Sequence, residues 1–191
     1  MEKLKVGFAL CGSFCTFSQV LPEMRRLTKA GYDLVPIMSY NAFVTDTRFG
    51  KAEDFDREIE EICGNKIIST LTAAEPIGPK KLLDILIIEP CTGNTLAKLA
   101  NGIADTPVTL AAKSHLRNAR PVLIAVSTND ALAAAAKNVG QLHNYKNVFF
   151  VPYRQDDSVN KPTSLVADFT KTEEAMRAAL EGRQLQPVLI S

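Results

Sequence analysis

Four short clusters hold most of the polar chemistry that this chain could focus on a small ligand: Gly12-Ser13, Ser39, Thr92-Gly93-Asn94-Thr95 and Ser127-Thr128-Asn129. Each follows a run of apolar residues, where a strand gives way to a turn. Hydroxyls and backbone N–H groups at a helix start can hold a phosphate without Lys or Arg, because unpaired donors and the helix dipole both favour an anion there. The same residue types also serve as N-caps that need no ligand. Either reading suits one cluster alone; four at one edge of a sheet point to a phosphate-bearing ligand. The expected binding set is Gly12, Ser13, Ser39, Thr92, Asn94, Thr95, Ser127 and Asn129.

Glu89 is the carboxylate of interest, at the end of the run LLDILII and followed by Pro90. Buried at a strand mouth, it could serve as a base with a raised pKa. It could equally accept hydrogen bonds from loop N–H groups, as buried charges usually do. Glu89 and Asn94 are therefore the candidates for catalytic polar work. The two histidines, His115 and His143, lie in helical patterns without a partner motif and read as surface or structural residues. Cys11, Cys15, Cys63 and Cys91 match neither a zinc-ligand spacing nor a redox pair, so reduced thiols and no metal are expected.

The elements that must position these residues alternate regularly. Apolar runs at Lys5–Cys11, Leu34–Met38, Lys66–Ser69, Leu82–Ile88, Pro121–Ser127 and Val148–Val151 predict about six strands. Helical patterns lie between them. One covers Leu21–Ala30, with Pro22 marking either its start or a kink after a start near Thr16; others cover Glu53–Cys63, Thr92–Ala100, Ala131–Leu142 and Lys171–Leu180. The stretch from Tyr153 to Ser164 reads as a polar loop, either a lid or docking loop or a plain surface connection. This alternation implies an α/β fold: a parallel sheet with helices on both faces, Rossmann-like, in a single domain over residues 1–191 with a loop and terminal helix from about residue 153.

Composition narrows the class. With 22 basic and 21 acidic residues, the chain shows no excess charge that would suit nucleic acid. No apolar run reaches the length of a membrane span and no opening stretch reads as a signal peptide, which leads to the expectation of a cytoplasmic protein. Gly7 and Gly12 do not build the GxGxxG fingerprint, Ser39 replaces the acid that would bind a ribose, and no Walker lysine motif occurs. A directly bound nicotinamide dinucleotide is disfavoured.

The stretch EPCTGNTLAKLANGIAD, Glu89 to Asp105, is similar to the signature loop and helix of the flavin-dependent cysteine decarboxylases and their relatives. Pro90, Asn94, Thr95, Lys98, Ala100, Gly102 and Asp105 stand in the motif's places. Ser13 and Ser39 match positions of small polar residues around the flavin phosphate and ring in that superfamily. The chain departs from the decarboxylases in two places. No His precedes the signature strand, where Thr72 to Ile77 stands, and Ala125 to Asp130 keeps an Asn but lacks the group's Met and Trp. Within the superfamily, CTGNTLAKLANGIADTPVT, AAKSHLRNARPVLIAVSTNDAL and VPYRQDD resemble the B-subunit family of the dipicolinate synthases. That resemblance implies FMN as a possible cofactor and a partner, the A-subunit of dipicolinate synthase, that brings NAD(P). It further implies oxidation of dihydrodipicolinate in a sporulating mother cell, and a trimer-based homo-oligomer to which a small-residue helix face at Ala131–Ala136 would contribute. The alternative is a scaffolding subunit with a relic flavin pocket.

Overall fold

The computed structural model describes residues 3–191. Five strands form a parallel sheet: β1 (Lys5–Leu10), β2 (Asp33–Met38), β3 (Ile85–Cys91), β4 (Val122–Thr128) and β5 (Val148–Phe150), in the order β2-β1-β3-β4-β5. Two more strands, β6 (Tyr153–Asp157) and β7 (Lys161–Ala167), form a hairpin that pairs antiparallel with β4. The helices are α1 (Phe17–Lys29), α2 (Tyr40–Val44), α3 (Ala52–Cys63), α4 (Leu71–Ala74), α5 (Gly93–Ala100), α6 (Pro107–Arg117), α7 (Ala136–His143) and α8 (Thr172–Leu180). Helices α1 and α8 cover one face of the sheet, and α5 and α6 cover the other.

The α/β sheet with helices on both faces is the architecture expected from the alternating pattern. All seven residues of β3 are buried, as are Val122 to Ser127 of β4. Near-continuous apolar runs of this kind are what a parallel strand covered on both faces requires. Leu82, expected to begin β3, is exposed, and the strand instead continues through Glu89 and Pro90 to Cys91.

Helix α1 starts at Phe17 and runs through Pro22, which selects the earlier of the two starts. The proline takes the N–H that would bond to Ser18, but both residues are on the exposed side where water can satisfy that carbonyl. Helix α3 ends where Gly64 adopts φ 65°, and its N–H closes the last turn on the Glu60 carbonyl.

Three expectations are corrected. Tyr153 to Ser164 is a hairpin: its turn is held by Asp157 Oδ1, which accepts from the N–H groups of Val159 and Asn160. The Ala-rich helix begins only at Ala136, because residues 131–135 form turns tied to the hairpin by the Leu132 N–H on the Thr163 carbonyl at 2.9 Å. One tertiary hydrogen bond and the turn at Asp130 prevail over alanine's helix propensity, so Ala131–Ala136 offers no continuous helical face for self-association. Lys66–Ser69 makes a single bridge, Ile68 to Ile37, rather than a strand.

Replacing Ile87, fully buried in the middle of β3, by Ala should cost about 2–5 kcal/mol from lost transfer energy and the residual cavity. Urea unfolding monitored by circular dichroism measures this. A loss below about 1 kcal/mol would contradict a tightly packed central strand.

Candidate functional site

The strand order reverses at β1: the chain passes from β1 outward to β2, then back across to β3 on β1's other side. In open parallel sheets a reversal of this kind leaves a crevice outside the carboxyl ends of the two diverging strands, and ligands bind there. A cavity of about 980 Å³ opens at this point. Of the eight residues expected to bind, Gly12, Ser13, Thr92, Asn94, Ser127 and Asn129 line it. They come from the loop after β1, the β3–α5 junction and the end of β4. Pairing of β1, β3 and β4 brings them together, and the β3–β4 register shifts between Ile88 and Cys91 as the strands reach the site.

The other two lie beside the cavity without lining it. Ser39 caps α2, its Oγ accepting from the Ala42 N–H at 3.3 Å. Thr95 is buried and donates to Cys11 Sγ at 3.2 Å. Cys11 and Cys91 face each other where β1 and β3 end. The hydrogen bond from Cys91, aided by Thr95, holds the Cys11 thiol below its usual range, while burial pushes Cys91 well up.

Capping does not account for the cavity hydroxyls. Thr92 stands at the N-cap of α5, yet its side chain makes no capping hydrogen bond, and Ser13 likewise precedes the 3₁₀ turn Phe14–Thr16 without capping it. Ser13 Oγ instead shares a 2.8 Å hydrogen bond with Ser127 Oγ, which ties the β1 loop to the β4 loop. The first N–H groups of α5 are thus left unbonded by Thr92, at the positive end of the helix. A carboxylate already lies close to this end. Asp130 Oδ1, which accepts from Thr128 Oγ1 at 2.6 Å, would be 2.7 Å from a Cβ placed on Gly93. Any residue larger than glycine at position 93 would collide with Asp130 and Thr128.

Glu89 is fully buried and does not line the cavity. Its side chain points to the α8 face, where Oε2 accepts from Thr172 Oγ1 at 2.6 Å and Oε1 has no partner. The alternative of bonding to loop N–H groups is therefore not what the structure contains. Burial pushes its pKa up to about 8, against the lowering effect of the Thr172 hydroxyl, so the carboxyl keeps its proton at neutral pH. His115 is buried in α6, and burial, with Arg120 nearby, lowers its pKa to about 4. His143 stacks on Phe150 and its Nε2 lies 2.9 Å from Tyr153 Oη. Neither histidine lines the cavity.

Sequence reasoning missed the charged side of the site. Arg154, Asp156 and Lys161 of the hairpin, Arg48 after α2, and Asp130 all line the cavity. The alternation of β6 was the available signal: Arg154 and Asp156 are two apart and share a face. It was masked because β6 carries one buried residue and three exposed polar ones, a pattern that reads as loop.

Comparison with known proteins gives a consistent likeness. The sequence profile of the Flavoprotein family matches residues 1–179. The dipicolinate synthase B-subunit of Bacillus subtilis (strain 168) is 42% identical over 186 residues, covering 97% of this chain and 93% of that protein. The crystal structure of the dipicolinate synthase B-subunit from Bacillus halodurans C superposes with a TM-score of 0.90 at 42% identity, covering 100% of this chain and 99% of the other. DmrB of Burkholderia xenovorans, described as a cubic protein cage for redox transfer in complex with FMN, shares the fold alone. It is 16% identical with a TM-score of 0.69, covering 94% of this chain and 96% of that one.

Glu89 has a consequence for stability. Its carboxyl ionises near 4.5 when exposed and near 8 in the fold, so between these values the folded chain holds a proton that the unfolded chain has released. Stability should therefore fall as pH rises from about 4.5 through about 8, by an amount on the order of a few kcal/mol, and then level off. Glu89→Gln keeps an acceptor for Thr172 and removes the ionisation. The difference between the two proteins in urea midpoint at about pH 5, 7 and 9 isolates Glu89, since Asp56, which burial raises to about 6, is common to both. Parallel pH curves would show that Glu89 is ionised in the fold.

Proposed function

We propose that this chain, which belongs to the Flavoprotein family and within it to the dipicolinate synthase B-subunit group, takes part in the NAD(P)-dependent oxidation of dihydrodipicolinate to dipicolinate in the mother cell of a sporulating bacterium. The observation that carries the reading is the cavity at the β1–β3 reversal, lined by hydroxyls that no helix cap consumes. The reaction removes a hydride and a proton from the substrate ring. The hydride goes to NAD(P)+, and the sequence lacks the glycine fingerprint and acidic residue that would hold that dinucleotide. The A-subunit of the synthase supplies it. This chain, as one flavoprotein-like unit over residues 1–191, contributes the pocket and works as a trimer-based homo-oligomer. Membership of the Flavoprotein family supports the cofactor.

FMN fits the residues present. Gly12, Ser13, Thr92 and Asn94 would hold its phosphate by N–H, hydroxyl and amide donors, with Ser127 and Asn129 farther along the cavity and Ser39 and Thr95 supporting the loops from behind. When bound, the flavin would supply a ring able to take up a hydride and give it up again, with NAD(P)+ as the final acceptor. The chain's own contribution is to orient the ligand, and Asn94, at the second position of α5 and in the cavity wall, offers an uncharged donor and acceptor for polar work. Glu89, protonated and turned away, supports β3 against α8 rather than exchanging protons with a ligand.

The alternative of a scaffolding subunit with a relic pocket has one observation in its favour. The Asp130 carboxylate lies against the first residue of α5, at the positive end that a phosphate would use.

Dipicolinate formation from dihydrodipicolinate and NAD(P) should require both subunits, and Asn94→Ala should lower the rate of the mixture about tenfold or more without changing the melting temperature. Turnover by this chain alone would overturn the two-subunit reading, and an unchanged rate in the Asn94→Ala mixture would favour the relic pocket. Asp130→Asn keeps the Thr128 hydrogen bond and removes the charge, so FMN should bind several-fold more tightly, by about the worth of one partly exposed charge at a helix end. Quenching of FMN fluorescence on titration measures this. Unchanged affinity would place the phosphate away from α5.

A further inference from the structure

Two sets of groups line the cavity. The strand ends of β1, β3 and β4 offer hydroxyls, N–H groups and the Asp130 carboxylate, while the hairpin and the loop after α2 bring in Arg154, Lys161 and Arg48 together with Asp156. These three are not equally available. Lys161 Nζ lies 2.7 Å from Asp156 Oδ2, so its charge is matched within the hairpin. Arg48 lies over the ring of Phe49, its guanidinium carbon 4.9 Å from the centroid. Arg154 makes neither contact, and among the described residues no carboxylate lies within ion-pair distance of it. It stands on β6 opposite Val166 of β7, which also lines the cavity, so pairing across the hairpin fixes its backbone on the cavity side.

An arginine without an acid partner, fixed by a strand at the wall of a cavity, is suited to a carboxylate. Its guanidinium presents two parallel N–H groups to the two oxygens. Hydroxyls suited to a phosphate and an arginine suited to a carboxylate would let one cavity take two ligands, or two parts of one reaction. We propose that Arg154 recognises a carboxylate of the ring dicarboxylate substrate, and that the β6–β7 hairpin is the substrate-reading arm of this chain. This rests on the dipicolinate reading above and adds to it the residue that selects the substrate class.

The test is calorimetric titration of the full chain with dipicolinate and with picolinate, which lacks one carboxylate, alongside FMN titration of the same samples. The unaltered chain should bind dipicolinate more tightly than picolinate. Arg154→Gln should weaken dipicolinate about tenfold or more, with Arg154→Lys between the two, since Lys keeps the charge but loses the paired donors. FMN affinity and melting temperature should stay unchanged in both variants. Arg57→Gln, exposed on α3 and paired with Glu53 and Asp54, should bind both ligands as the unaltered chain does. With the A-subunit present, Arg154→Gln should raise KM for dihydrodipicolinate and leave kcat within about twofold, as loss of uniform binding does.

Equal dipicolinate affinity in the unaltered and Arg154→Gln chains, or a larger loss from Arg48→Gln than from Arg154→Gln, would overturn the inference and leave the dipicolinate reading standing. No dipicolinate binding by the unaltered chain, with no turnover in the mixture of the two subunits, would remove both.

Discussion

Burial of β3 and β4 on both faces is the constraint from which the rest of the structure follows. A strand sealed in this way can carry polar side chains only where it emerges, so the hydroxyls, amides and small residues collect at the carboxyl ends. The helices that seal the faces must begin at those same ends, because each parallel crossover leaves a strand and returns along the sheet. Unpaired helix N–H groups and small polar residues therefore meet in one place as a result of burying the core. The reversal of strand order at β1 then parts two of these ends and opens a space between them.

Glu89 is the exception to an apolar β3. Its carboxyl lies in the core with one oxygen bonded to Thr172 and the other to nothing, and the low-dielectric surroundings keep it protonated. A neutral carboxyl that donates no hydrogen bond stabilises little, so the fold carries a penalty here. Thr172 opens α8, which closes the face of the sheet over β3, and the Glu89–Thr172 hydrogen bond joins these two elements across 83 positions of sequence. The cost of a buried polar group is thus located where the last helix meets the strand that leads to the site.

The β6–β7 hairpin extends the sheet past its parallel part. It pairs with β4 only at Ser127 and Thr128, beyond the point where β5 has taken β4's edge, so it projects over the strand ends instead of lengthening the sheet. Its inner face supplies charged groups that the parallel strands could not carry without burying them. Its exposed edge is polar, with Arg154, Gln155 and Asp156 on β6, which discourages pairing with another chain along that edge. The turns at residues 131–135, tied to Thr163, fix the hairpin relative to the β4 loop and hold Asp130 against α5.

The sequence by itself determined the parallel α/β architecture. The runs of β1 to β5 are apolar and short, the helices between them have one apolar face, and glycine or polar residues mark each change. Burial periodicity is a local property, so it can be read locally. The chemistry at the ends of β1, β3 and β4 was legible for the same reason, since strand ends are local too. Tertiary structure decided which ends meet: Ser127 joins Ser13 across 114 positions, while Ser39 is taken up capping α2 and Thr95 turns to Cys11. It also decided that Ala131 to Ala135 are turns and that the polar stretch after Tyr153 pairs as strands. In both, a backbone contact from far along the chain prevails over local propensity. Leu132 bonds to Thr163, and β7 pairs with Ser127 and Thr128 of β4, which anchors a hairpin whose own sequence is mostly polar.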